Sequence, residues 1–198
     1  PNRVVITGDL IDKIAWLPQV CERLTTFAKQ IPDGVDFILG NHEYHHDVNK
    51  VLDELKYNTP MNILVNSNIQ IMGGKQPVYI AGVAYDNDRE KEKREAMIDK
   101  ALSGIPDYAF VILLAHHPEF FEEAIERKIP LTLSGHTHGG QIVFMGMPLV
   151  PTGTPYTKGR YVEEQSVCYV NNGSGHWFPI RINCPREITV ITFFDGVA

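Results

Sequence analysis

Short apolar runs alternate with amphipathic stretches along most of the chain, and the runs end at small or polar turns. Val4-Val5-Ile6 leads into Thr7-Gly8-Asp9. Over residues 12–30 apolar positions then recur at Ile14, Leu17, Cys21, Leu24, Phe27 and Ala28, the spacing of a helical face broken or started near Pro18. Phe37-Ile38-Leu39 ends at Gly40-Asn41-His42, and a short helix is expected over residues 48–55. Strand runs follow at 63–65, 69–72 and 78–83, with Asn66-Ser67-Asn68 as a turn between the first two. Residues 86–102 read as an exposed helix whose mixed charge run forms a solvated face with i,i+4 pairs. Residues 110–115 form a buried strand ending at His116, 120–127 a helix, and Leu131-Thr132-Leu133 a strand ending at Ser134-Gly135-His136. The last third is strand-like and closes with a further strand over 188–193. Strands with interleaved helices, then mostly strands, predict mixed sheets covered by helices.

Composition narrows this picture. At 198 residues, 43% hydrophobic and 21% charged, the chain can build a core without disulfide or metal staples. Cys21, Cys168 and Cys184 lie far apart, which excludes a disulfide framework or a cysteine zinc site as the organising principle. A net charge of -6 argues against nucleic acid as a partner but leaves phosphate-bearing substrates open, since cations can supply local positive charge. The longest purely apolar run, 109–115, is far short of the roughly 20 residues that span a bilayer.

Seven of the eight histidines fall into three clusters: His42, His45 and His46; His116 and His117; His136 and His138. Each cluster begins just after an apolar strand run, and Asp9 occupies the same kind of place after the first run. Ligand sites in α/β sheets form at the carboxyl ends of strands, so these ends are expected to converge. Asp, Asn and imidazole without thiolate make an N/O donor set suited to Mn, Fe, Zn or similar divalent ions. Two such ions sharing a carboxylate form the clamp used in phosphoester hydrolysis. Gly8 and Gly40 read as tight strand-to-loop turns.

These residues resemble the calcineurin-like metallophosphoesterase superfamily. The matches are Gly8-Asp9-Leu10-Ile11-Asp12, Gly40-Asn41-His42-Glu43, His116 after a buried strand, and Gly135-His136-Thr137-His138, in that order. Residues 101–106, 113–119, 135–141 and 179–189 look like the branch that holds bacterial lipid-pyrophosphate hydrolases. The resemblance implies an α/β (α+β) sandwich, two mixed β-sheets flanked by helices, over a single domain spanning 1–198. It implies a metal-bound hydroxide attacking phosphorus, with Asp9 bridging two divalent ions. Asn41, His116 and His136 would complete one metal site with Asp9, and His138 would belong to the other. His42 would protonate the leaving oxygen, with Asp12 holding its ring. The expected substrate is a phosphorylated small molecule or a lipid-linked one.

The family normally opens with an Asp-x-His strand, and no such motif precedes Gly8-Asp9. The chain is therefore expected to be N-terminally truncated, with two ions in the full-length parent, one held well by these residues, and a gap beside the first strand. Relatives of that branch are often membrane-anchored through their N-termini. The apolar loop 144–151 is the expected specificity element, suited to an acyl chain or a membrane surface; a core-flanking loop is the plain alternative. His117 is expected behind the ligands or at the surface, and His45 and His46 at the surface or else at the rim of the substrate pocket. Asn171, Asn172, His176 and Arg181 are candidates for substrate contact or for turn structure. The rival functional readings are a generic or cyclic-nucleotide phosphodiesterase and a non-catalytic metal-binding scaffold.

Overall fold

The computed structural model describes residues 1–71, 74–84 and 90–194. Its strands are β1 (Val4–Ile6), β2 (Val35–Phe37), β3 (Asn62–Ile63), β4 (Ser67–Ile71), β5 (Val78–Gly82), β6 (Phe110–Leu114), β7 (Leu131–Ser134), β8 (Val143–Phe144), β9 (Met147–Pro148), β10 (Gly159–Glu163) and β11 (Ser166–Val170). The helices are α1 (Leu17–Ala28), α2 (Asn41–Tyr44), α3 (Val48–Asn58), α4 (Lys91–Leu102) and α5 (Phe120–Glu126). Strands β1, β2 and β3 pair in parallel as one sheet, and the second runs β10-β11-β7-β6-β5-β4 with parallel and antiparallel pairs.

Period-2 alternation builds the layers. On β6, Val111 and Leu113 pack with Ile98, Ala101, Phe121 and Ala124 of α4 and α5. Ile112 and Leu114 face the other way, into a layer with Ile38, Leu64 and Ile80 that joins the two sheets. Leu17, Cys21, Val51 and Leu55 of α1 and α3 cover Val35 and Phe37 on the far side of the first sheet. The result is the expected sandwich of sheets flanked by helices.

Several expected boundaries move for identifiable reasons. β2 begins at Val35, two residues before the expected run, because Asp36 is a buried strand residue whose charge Arg3 neutralises at 2.8 Å and to which the Asn62 side-chain amide donates at 2.8 Å. Ser67 and Asn68 belong to β4 and not to a turn; the turn rests on Asn66, whose φ is 50°. Residues 188–193 are not a strand, since no neighbouring strand supplies hydrogen bonds to them among the described residues. The end of the expected 69–72 strand at Met72, and residues 86–89 of the expected helix, lie outside the described residues.

The charge run on α4 is largely exposed, with the expected i,i+4 pair between Lys91 and Glu95 at 3.7 Å, but it also does more. Arg94 reaches the fully buried Glu123 of α5 at 2.7 Å, and Lys91 reaches Glu126 at 2.6 Å, so the run docks one helix onto the other. All three cysteines are buried free thiols. Burial pushes the Cys168 thiol up to about 12.

β1 is the edge strand of its sheet. A groove of about 1330 Å³ runs beside it, lined by Val4, Ile6, Ile112 and Leu133 and by residues 188–193.

Candidate metal centre

Parallel pairing fixes which loops meet. β1 and β2 are neighbours in one sheet, β6 and β7 in the other, and each pair ends at the same edge of the sandwich. The four segments that follow carry Asp9, Asn41, His116 and His136. Gly8 and Gly40 let the first two loops touch: a Cβ on Gly8, at φ 94°, would stand 2.7 Å from the Gly40 backbone. No side chain fits that space.

The donors converge closely. His116 Nε2 lies 3.2 Å from Asp9 Oδ2 and 3.0 Å from Asn41 Oδ1. His136 Nδ1 lies 2.9 Å from Asn41 Oδ1 and 3.2 Å from His116 Nε2. The ligand atoms of Asp9, His116 and His136 all fall within 4.8 Å of one another. The His116 Nδ1–H donates to the Thr7 carbonyl at 2.6 Å, which turns Nε2 toward the cluster.

Electrostatics prepares the set for a cation. Burial, with His117 and His116 beside it, pushes His136 down to about 3, so its ring is neutral at neutral pH. Burial opposes charge on Asp9, but the His116 ring and the His42 amide outweigh it and hold the carboxyl far below its usual range. Burial likewise opposes charge on His116, and the Asp9 carboxylate with the Thr7 carbonyl overcomes it, so that pKa is raised. The Asp9 charge draws positive charge, which the His116 ring supplies while it keeps its proton; a cation would take that proton's place, among carbonyl oxygen and imidazole nitrogen. That is the N/O donor chemistry of a borderline divalent ion, and the residues fit one.

His42 stands just outside the cluster. Its backbone N–H donates to Asp9 Oδ1 at 3.0 Å, its Nδ1 meets Asp12 Oδ1 at 3.0 Å, and its Nε2 lies 3.9 Å from Asp9 Oδ2. The ring also borders a pocket of about 240 Å³ shared with Asp9, Asn41, His136 and His138. Val150, Pro151 and Trp177 close the outer side of that pocket.

His138 lines the pocket but is not among the close donors, and Arg181 directs an N–H to its Nδ1 at 3.1 Å. Burial and that guanidinium push His138 down to about 4. Arg181 otherwise donates to the carbonyls of His138, Asn172, Gly175 and Cys184, so it knits the loops together. Asn171 bonds Thr189 and the Gly173 amide, while His176 is exposed. His117 is no surface residue: it stacks on His136 at 3.8 Å and pairs with Glu119 at 3.4 Å. His46 is held at the Asp12 carbonyl at 3.0 Å, and His45 lies against the His42 ring.

Sequence reading gave Glu43 no role. Fully buried, it accepts the amides of Gly40 at 2.6 Å and Asp9 at 3.0 Å with one oxygen. The other oxygen takes those of Leu10 at 2.7 Å and Ile11 at 2.8 Å. The signals were its place in the Gly40-Asn41-His42-Glu43 match and its position three residues after Gly40, the spacing of a capping box.

The calcineurin-like phosphoesterase profile matches residues 1–140. An uncharacterized metallophosphoesterase of Campylobacter jejuni is 37% identical over 199 residues, covering 96% of this chain and 50% of that protein. One of Aquifex aeolicus is 30% identical, covering 97% of this chain and 72% of that protein. The chain spans about half the length of the first curated relatives it matches. Among solved structures, the NAD nucleotidase of Haemophilus influenzae superposes with a TM-score of 0.53 at 16% identity, covering 86% of this chain and 40% of that one.

Proposed function

The chain belongs to the calcineurin-like phosphoesterase family, and from that premise we propose that it hydrolyses phosphoester or pyrophosphate bonds with a divalent cation. Asp9, Asn41, His116 and His136 would hold that cation. When bound, it supplies Lewis-acid chemistry, neutralising phosphoryl oxygens and lowering the pKa of water.

The remaining work falls to His42. With Nδ1–H donated to Asp12, the ring presents Nε2 toward the pocket, where the imidazolium can hand its proton to the leaving oxygen. The carboxylate partner fixes the tautomer and keeps the ring from turning away. The observation that carries this reading is the 3.9 Å spacing between His42 Nε2 and Asp9 Oδ2. It sets a proton donor beside the cluster without making it one of the donors. A scaffold that merely held metal would have no use for that ring or for Asp12.

The test is hydrolysis of bis-p-nitrophenyl phosphate with added Mn²⁺ against a chelator control. His42→Ala should lower kcat by roughly 10²–10⁴ while metal content stays as it was. Turnover that ignores the chelator would end the hydrolase reading, and full activity in the variant would end the role given to His42.

A further inference from the structure

An apolar face, built from segments that contain no Asp or Glu, borders the pocket. β8 and β9 form a hairpin whose turn, Met145-Gly146, has φ values of 49° and 83°. Positive φ at both positions is the tight two-residue turn that projects a hairpin tip cleanly outward. The tip exposes Phe144 by 60%, Met145 by 82% and Met147 by 66%. Beside them Leu149, Trp177 and Ile180 are also exposed.

These residues share one surface because buried bonds staple their segments together. Gln141 is fully buried, and its amide donates to the Phe178 and Ile180 carbonyls at 2.8 Å each while its oxygen accepts the Trp177 amide at 3.0 Å. Val143 N–H donates to the Ile182 carbonyl at 2.9 Å, and Asn183 donates its side-chain amide to the Val143 carbonyl at 2.9 Å. The face is therefore built, and it adjoins the pocket through Trp177, Val150 and Pro151.

Its charge sets it apart from the rest of the chain. The protein carries a net charge of -6, yet residues 127–162 and 165–186 contain no Asp or Glu. The intervening Glu163 and Glu164 lie at the β10–β11 turn, the end of β11 away from Asn171. Lys158, Arg160 and Arg186 belong to the end near the pocket, where Gly159 pairs with Val170, while Arg181 spends its guanidinium on loop carbonyls. Large exposed apolar side chains mark a binding surface. Adding an interfacial tryptophan and cationic surroundings selects a lipid surface of negative charge over a neutral protein groove.

We infer that the β8–β9 hairpin and the Trp177–Ile180 segment dock on an anionic bilayer surface, with the pocket mouth at headgroup level. This does not depend on the hydrolase reading, because docking is read without turnover.

The test uses the full chain carrying Trp16→Phe, which leaves Trp177 as its single tryptophan. Sedimentation with vesicles of phosphatidylcholine plus phosphatidylglycerol should carry the protein down and shift Trp177 emission to the blue, whereas phosphatidylcholine alone should do neither. Adding Phe144→Ser and Met145→Asp should weaken the partition about tenfold or more, the scale of one large buried apolar side chain. Raising salt from about 0.1 M to about 1 M should weaken it too by screening the cationic part. Unchanged bis-p-nitrophenyl phosphate hydrolysis, or an unchanged circular dichroism spectrum if there is no turnover, shows that the substituted hairpin still folds. Absence of sedimentation with either vesicle would overturn the inference. So would binding that the hairpin substitutions leave intact, or self-association by light scattering that they abolish while lipid is not bound.

Discussion

Glu43 fixes the backbone of Asp9: its carboxylate accepts the Asp9 amide at 3.0 Å and, through the same oxygen, the Gly40 amide at 2.6 Å. Asp9 sits at φ 57°, His136 at 67° and His138 at 50°, so three of the pocket's polar residues hold left-handed conformations. Such backbone is uncommon outside glycine and persists only where surrounding bonds over-determine it. Around Asp9 that determination comes from a residue 34 positions away in sequence.

Removing the carboxylate should therefore cost more than one hydrogen bond. Glu43→Ala strands four amides in a buried site, and each unsatisfied buried group costs about 1–3 kcal/mol before relaxation or water entry. The expected loss is about 3–5 kcal/mol, near the upper end for single substitutions. Urea unfolding of the variant checks it. A midpoint within experimental error of the parent would mean that the two loops hold together without Glu43.

Metal retention should separate the close donors from His138. Asp9→Ala or His116→Ala should release bound Mn²⁺ on dialysis, since each removes a donor from the cluster. His138→Ala should keep it, because that ring lies outside the cluster and receives an Arg181 N–H. The chain as it stands should retain a single tightly held ion. Elemental analysis after dialysis decides: two ions retained by the parent, or loss in the His138 variant, would contradict this division.

How much of this could be read from the sequence depended on whether the feature was local. Asp9, Asn41, His116 and His136 were legible because each follows an apolar strand run, and parallel pairing brings such ends together. Glu43 was not, since its role exists only once Asp9, Leu10 and Ile11 turn their amides toward it. Asp36 hid the start of β2, because a carboxylate that is paired with Arg3 looks polar in sequence and behaves as core in the fold. Residues 188–193 misled in the opposite direction. Their apolar pattern suits a strand, but a strand also needs a neighbour's hydrogen bonds, which no periodicity reports.

Asp12 acts through His42, so its substitution should change orientation and not the cation site. Asp12→Asn keeps the size of the side chain but weakens the charged partner at His42 Nδ1. We expect kcat on bis-p-nitrophenyl phosphate to fall by about 10–100-fold, less than the 10²–10⁴ for loss of the general acid itself. KM and metal content should stay near the parent values, and Asp12→Glu, which keeps a carboxylate at His42 Nδ1, should restore most of the lost kcat. A rise in KM with kcat unchanged would instead make Asp12 a binding residue.

Glu187 links the loop after β11 to stability and gives it a pH dependence. Its carboxylate accepts the Asn172 amide at 3.1 Å and the Thr189 hydroxyl at 2.7 Å, and it also takes the Tyr169 hydroxyl. Partial burial works against the charge, but these three donors outweigh it and lower the pKa. Near the ordinary glutamate value of about 4.3 the unfolded chain therefore binds more protons than the native one. The stabilisation is complete above that value and is lost as pH falls through the lowered native one. Glu187→Gln should cost about 1 kcal/mol at pH 7, a drop in Tm of roughly 2–4 °C for a chain of this size. The gap between parent and variant should narrow steadily as the pH is taken below about 4. Melting curves at both pH values test this, and a gap that stays constant or widens in acid would mean that the Glu187 charge contributes nothing to the fold.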